Sequence, residues 1–287
     1  MSRQAYVNGR FVPQGQASVH IEDRGYQFAD GIYEVWAIFN GRLSDAEGHF
    51  RRMARSLDEL HIPHPMERPA LEVVLKQTLR RNRVKEGLLY LQVTRGVARR
   101  DHPFPTLPTP PSLVITARSL NRALTNAKAE KGVGVITLPE NRWGRCDIKT
   151  VGLLPNVLAK QAARERGCAE AWFVDPAGLV TEGASSNAWI LTRGGILKTR
   201  DTQANILRGV TRSTLLEVIA EAGIPVEEVA FTPQEAHDAQ EVFITGAGAL
   251  VTPVVSIDGR PVGNGQAGET ALRLRSLYIA RAQKSGI

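Results

Sequence analysis

Apolar and polar residues alternate around Asn8-Gly9 in the segment Ala5-Tyr-Val-Asn-Gly-Arg-Phe-Val12, the pattern of a two-residue β-hairpin. The β-branched and aromatic run from Tyr33 to Phe39 predicts a strand, and Asn40-Gly41 turns it back into Arg42-Leu43. The period then changes. Phe50, Met53, Leu57 and Leu60 recur at helical spacing, and a second helix is predicted from Ala70 to Arg81. Strands at 88–94 and 113–118 flank a stretch that holds Pro103, Pro105, Pro108, Pro110 and Pro111, which a central strand cannot contain, so it reads as an irregular loop long enough to be functional. Ser119 to Lys131 is polar and weakly patterned and reads as a linker. The organisation expected is therefore a small N-terminal domain over 1–118, a linker over 119–131 and a larger C-terminal domain over 132–287. In the latter, strands are predicted at 132–138, 171–175, 186–192, 241–245 and 251–257, with helices at 153–166, 210–222 and 269–283. Leu154, Val157, Leu158 and Ala162 share one face of the first of these helices, and Gly167 and Gly223 stand as C-terminal stops.

Composition narrows the class. With 287 residues, 43% hydrophobic and 23% charged, the chain can bury a core and is long enough for two domains. The formal charge of +7 comes mostly from arginine, which suits paired recognition of carboxylate and phosphate. The arginines are scattered and not interleaved with aromatics, so no nucleic-acid partner is expected. Cys146 and Cys168 are too few for a disulfide framework and lack metal-ligand spacing, so two thiols and no metal are expected. Met1 to Val12 has no charged head before an apolar stretch, and no segment offers eighteen uncharged apolar residues in a row. A cytoplasmic protein without membrane contact is expected.

Three segments carry candidate chemistry. In Arg145-Cys-Asp-Ile-Lys149-Thr-Val-Gly152, a lysine sits among short apolar residues just before a helix. Burial would make such an amine nucleophilic, although alone it reads as an exposed lysine at a strand end. In Val180-Thr-Glu182-Gly-Ala-Ser185-Ser-Asn187-Ala-Trp189, an acid precedes small residues that let a flat ligand approach the backbone. Its carboxylate could pair with a protonated ring nitrogen, and alone it reads as a solvated turn. In Asn205-Ile-Leu207-Arg-Gly209-Val-Thr211-Arg-Ser, a glycine-containing loop opens into a helix whose first amides and dipole suit an anion such as phosphate, or ordinary capping. The turn Phe243-Ile-Thr245-Gly-Ala247-Gly-Ala-Leu250 could add an edge to that cradle.

The order of these segments resembles the fold-type IV pyridoxal-phosphate enzymes, which include D-amino acid and branched-chain aminotransferases and aminodeoxychorismate lyase. The likeness runs from Tyr6-Val-Asn-Gly through Asp23-Arg-Gly25 and Phe28-Ala-Asp-Gly31 to Thr252-Pro-Val-Val255. It implies an α+β fold with a small N-terminal α/β sandwich and a larger C-terminal pseudo-barrel. It implies that Lys149 attaches pyridoxal 5'-phosphate as a Schiff base and moves the proton in catalysis. By the same likeness Glu182 faces the pyridine nitrogen, while Arg52 and the backbone at Leu207, Gly209, Val210, Thr211, Gly246 and Ala247 surround the cofactor and its phosphate. Relatives tend to carry a hydroxyl residue where this chain has Ala247, so any contribution there must come from backbone amides.

The branch of the family is argued from Arg100-Asp-His102, which resembles the carboxylate trap of D-amino acid aminotransferases, with Tyr33 lining the same pocket. The loop read without that likeness is a basic, mobile surface segment. The resemblance implies a homodimer in which this loop reaches the neighbouring active site, and transamination between a D-amino acid such as D-alanine and a 2-oxo acid such as 2-oxoglutarate or pyruvate. Branched-chain enzymes usually place a tyrosine five positions after the lysine, where this chain has Leu154. The alternatives within the fold type are a branched-chain L-amino acid or (R)-amine aminotransferase, or aminodeoxychorismate lyase.

Overall fold

The computed structural model describes residues 3–203 and 206–287, so Asn205 of the third segment lies outside the described residues. The chain divides into two compact units. The first comprises Met1–Asn121, Ile148–Gly152 and Ser285–Ile287, and the second Arg122–Asp147 and Leu153–Lys284.

The first unit contains β1 (Gln4–Val7), β2 (Arg10–Pro13), α1 (Arg24–Phe28), β3 (Gly31–Phe39), β4 (Arg42–Leu43), α2 (Ala46–Glu59), α3 (Arg68–Asn82), β5 (Gly87–Thr94) and β6 (Ser112–Ser119). The strands form an antiparallel sheet in the order β2-β1-β6-β5-β3-β4. Both predicted hairpin turns are present. Asn8 and Gly9 (φ 44° and 93°), like Asn40 and Gly41 (52° and 77°), take the left-handed conformations that match the twist of the flanking strands. One core joins the faces: Phe50, Met53 and Leu57 of α2 and Leu71, Leu75 and Leu79 of α3 pack with Trp36, Leu91 and Ile115 of the sheet. Burial of that apolar surface is what makes the helical period legible in the sequence.

The sheet leaves one edge half covered. β4 pairs with Ile38 and Phe39 at one end of β3, and Lys149's segment lies along the other end. Tyr33 N donates to Lys149 O at 3.0 Å, Val151 N donates to Gly31 O at 3.1 Å, and Thr150 bridges Ile32. Unpaired strand amides need partners, so five residues far along the chain return to the first unit.

The second unit contains α4 (Arg122–Lys131), β7 (Val133–Pro139), α5 (Leu154–Glu165), β8 (Glu170–Val174), β9 (Val180–Gly183), β10 (Asn187–Leu191), β11 (Leu197–Thr199), α6 (Val210–Glu221), β12 (Val226–Glu228), α7 (Pro233–Asp238), β13 (Glu241–Gly246), β14 (Leu250–Ile257), β15 (Arg260–Pro261) and α8 (Glu269–Ser285). The sheet order is β12-β11-β10-β13-β14-β7-β8-β9, with β15 beside β14. Because β9 turns through Gly183–Ser186 directly into β10 and lies against it, the six strands from β10 to β9 curl round on themselves in the expected pseudo-barrel.

Two expectations change. The polar segment 119–131 is the helix α4 from Arg122 onward; only Ala129 of it is buried, so its sequence carries almost no periodic signal. The face of α5 bearing Leu154, Val157 and Leu158 is exposed (69%, 58% and 59%), and the helix packs through Ala159 and Ala163 against Ile136, Ala171 and Phe173. Small alanines let the helix axis approach the sheet closely, so they take the inward side. Among the described residues no helix is long and apolar enough to cross a membrane, and Cys146 and Cys168 are both thiols.

Candidate active site

Lys149 is only partly buried. Its Nζ stands 4.1 Å from the centroid of the Tyr33 ring, and its amide is 3.4 Å from Ser56 Oγ. Tyr33 stacks on Tyr90 at 5.7 Å. Burial, then the neighbouring Tyr33, pushes the Tyr90 phenol up to about 12, so it stays protonated and donates to Gln92 Oε1 at 2.7 Å.

Arg52, in the same unit, is tied down by a buried acid. Glu34 alternates onto the core face of β3 beside Ile32 and Trp36, where a lone carboxylate would be costly. It instead accepts from Arg52 Nε and Nη2, both at 2.7 Å, and from His49 Nδ1 at 2.6 Å. Burial opposes its ionisation, but the charge and hydrogen bonds of Arg52, with help from His49, hold its carboxyl down at about 2. Burial in turn lowers His49 below its ordinary value, with Glu34 opposing only in part. The site is thus a carboxylate, a guanidinium and a neutral imidazole.

Arg100 and His102 are both exposed and bracket one ring: the Arg100 guanidinium is 5.1 Å from the Phe28 centroid and the His102 ring 5.6 Å.

In the second unit, Glu182 ends β9 and is buried. It accepts from Arg142 Nη1 at 2.6 Å, from Asn187 Nδ2 at 3.2 Å and from the Leu207 amide at 3.1 and 3.2 Å. Arg142 also holds Glu140 through Nε at 2.9 Å and Nη2 at 2.7 Å. Burial works against both charges of that pair, yet their mutual hydrogen bonds win, lowering the Glu140 carboxyl and raising Arg142. Asn187 donates as well to Leu207 O at 3.1 Å, and a Cβ at Gly209 would collide with Asn187 Oδ1. Glu182, Leu207 and Gly209 therefore meet around one asparagine. Gly209 starts α6 with no side chain capping it, which leaves the Val210 and Thr211 amides at the positive end of the helix dipole.

Behind Glu182, the small residues are fixed by a second buried acid: Ser185 Oγ and Ser186 Oγ donate to Glu170 Oε2 at 2.7 and 3.0 Å. Gly246 lies against this turn, where a Cβ would stand 3.1 Å from Ser185 O. Past Ala247, buried Leu250 holds φ of 56°. That conformation is braced by Thr252 Oγ1 and Arg275 Nη1, which both donate to Ala249 O, at 2.7 and 3.0 Å.

Sequence reasoning missed Glu34, Glu140, Arg142, Glu170 and the part played by Asn187. An acid on the apolar face of a predicted strand, as at Glu34, is the one local signal that could have marked its group. Glu140 and Arg142 are ordinary charged residues until the fold sets them beside Glu182.

A family described as amino-transferase class IV matches residues 31–257. The D-alanine aminotransferase of Staphylococcus haemolyticus is 38% identical over 270 residues, 94% of each chain. That of Bacillus licheniformis is 41% identical over 261 residues, 91% of this chain and 90% of the other. Among solved structures, the T.th. branched-chain amino acid aminotransferase with pyridoxamine 5'-phosphate has a TM-score of 0.89 and 27% identity, covering 99% of this chain and 95% of that one. Matched along most of its length in both sequence and fold, the chain belongs to the class IV amino-transferases.

Proposed function

We propose that this protein is a pyridoxal-phosphate aminotransferase that moves the amino group of a D-amino acid such as D-alanine onto a 2-oxo acid. The observation that carries the reading is the likeness, over nine tenths of the chain, to two D-alanine aminotransferases. The donor chemistry fits the cofactor: an amine at Lys149, a buried carboxylate at Glu182, a guanidinium at Arg52 and an uncapped helix start at Gly209.

When bound, the protonated pyridine ring supplies an electron sink for the charge left as the substrate Cα–H bond breaks. Lys149 Nζ would hold the cofactor and, when free, would serve as the base that takes the substrate Cα proton. Glu182 would pair with the ring N–H, and Arg142, Asn187 and the Leu207 amide keep its carboxylate oriented. Arg52, whose Nε and Nη2 are held by Glu34, would take the phosphate together with the amides of Val210 and Thr211, with backbone from Gly246 and Ala247 at its edge. Arg100 and His102, with Tyr33, hold the substrate carboxylate and so decide which enantiomer presents its Cα–H to Lys149.

The test is a pair of half-reactions on the purified yellow protein. D-alanine is expected to bleach the visible absorption to that of the pyridoxamine form, and L-alanine to leave it unchanged. Bleaching by L-alanine alone would overturn the D-specific assignment.

The same reading makes the protein a homodimer whose Arg100 loop serves the partner's site. It is supported by exposed apolar residues: Phe104 and Leu107 in the loop, Tyr26 on α1, and Leu154, Val157 and Leu158 on α5. Coexpressed Lys149→Ala and Arg100→Ala chains are expected to recover about one quarter of wild-type activity, because a twofold dimer then carries one intact site. Two inactive parents that stay inactive when mixed exclude sharing between subunits. A cytoplasmic location agrees with two unpaired cysteine thiols.

A further inference from the structure

Arg24, in the segment Asp23-Arg-Gly25, has no part in the reaction proposed above, yet it is 3% exposed. Asp23 caps α1 by accepting from the Gly25 amide at 2.9 Å and is itself held by Thr94 Oγ1 at 3.0 Å. A Cβ at Gly25 would run into the Thr94 side chain. This close seating turns Arg24 inward, where each nitrogen of its guanidinium has a partner. Nε donates to Asp30 Oδ2 at 2.8 Å, Nη1 to Asp101 O at 2.6 Å and Nη2 to His102 O at 3.2 Å. The plane lies 4.8 Å from the Phe28 centroid, the ring that Arg100 and His102 also bracket.

Asp30 is shared. Arg95 Nε and Nη2 donate to it at 2.7 and 2.9 Å while Arg95 packs 3.6 Å from the Phe104 ring. Two arginines on one carboxylate thus grip the proline-rich loop from below, at Asp101, His102 and Phe104. Side chains between Arg100 and Phe104 are themselves exposed, so within the chain these anchors hold the loop's backbone.

We infer that Arg24 is a positioning residue for the substrate carboxylate: by holding the backbone carbonyls of Asp101 and His102 it aims Arg100 and His102. The inference rests on the reading of those two as the carboxylate-binding pair. A planar fork is required, because one lysine ammonium can keep the charge near Asp30 but cannot span both carbonyls.

The experiment compares Arg24→Lys, Arg24→Met, Phe28→Leu and Arg100→Ala with wild type as holoenzymes, reading KM and kcat for D-alanine, the visible spectrum, and hydrogen exchange of the amides between Ala98 and Phe104. For both Arg24 variants KM is expected to rise on the order of 10-fold with kcat changed less than about threefold, the signature of lost substrate binding. Exchange in the loop rises and the cofactor spectrum stays as in wild type. Phe28→Leu removes the ring that Arg24, Arg100 and His102 share and raises KM in the same direction; if the Arg24 variants do not fold, loop exchange that stays as in wild type in Phe28→Leu overturns the inference. An unchanged KM in the variants that fold, or a fall in kcat together with loss of the cofactor spectrum, overturns it. Arg100→Ala separates the two ideas. If it leaves KM unmoved the carboxylate reading fails; if it raises KM while Arg24→Lys and Phe28→Leu do not, only the positioning role fails.

Discussion

Lys149→Ala is expected to lower kcat for D-alanine by roughly 10⁴-fold or more, because one substitution removes both the covalent attachment and the base, and acid–base catalysis alone contributes up to about 10⁴-fold. Reduction with borohydride should leave cofactor fixed to wild type and none fixed to the variant. The fold should survive, since Lys149 is tied to the sheet through its backbone: its carbonyl accepts from Tyr33 N, and the residues beside it pair with Gly31 and Ile32. A variant that still fixes the cofactor on reduction would place the attachment elsewhere.

The second large effect is on stability. Glu34→Gln leaves the Arg52 guanidinium facing a neutral amide in a buried setting, and breaking a buried ion pair costs about 3–5 kcal/mol. In melting curves that is on the order of 10 °C for a domain of ordinary size. The pH dependence gives an independent reading. The Glu34 carboxyl lies at about 2 in the folded protein against an ordinary 4.5. A depressed carboxyl contributes stability that is fully present above the ordinary value and is lost as pH falls through the folded one. Wild type should therefore lose on the order of 3 kcal/mol between those two pH values, and the variant should lose less across the same window. Coincident acid-unfolding curves for the two proteins would remove the triad as a source of stability.

The candidate segments were legible because their patterns are local. The run from Glu182 to Asn187 keeps acid, small residues and strand within a few positions, and the Gly209 helix start is a contiguous signal. The strand expected at 186–192 stands as β10 and the helix expected at 210–222 as α6, whereas the strand β9 that carries Glu182 was not foreseen. The helix at Leu154–Glu165 was also foreseen, but its orientation was not. Hydropathy favoured Leu154, Val157 and Leu158 as the inward side, whereas closeness of approach to β7 and β8 favoured Ala159 and Ala163. Short-range periodicity measures greasiness, and steric fit depends on the surface opposite.

By itself the sequence determined the two hairpins at Asn8-Gly9 and Asn40-Gly41, most strands and helices, and the family resemblance that singled out Lys149 and Glu182, all of them set by neighbours a few residues apart. Only the tertiary structure decided that residues 148–152 complete an edge of the first sheet, that Glu34 holds Arg52, that Arg142 and Asn187 hold Glu182, and that Arg24 grips the loop of Arg100 and His102. The side-chain partners of Glu34, Glu182 and Arg24 lie from 5 to 78 positions apart in the chain, and the 148–152 segment pairs with residues farther away still. A buried charge takes whichever opposite charge or carbonyl the packed fold brings within about 3 Å, and local pattern carries no record of which one that is.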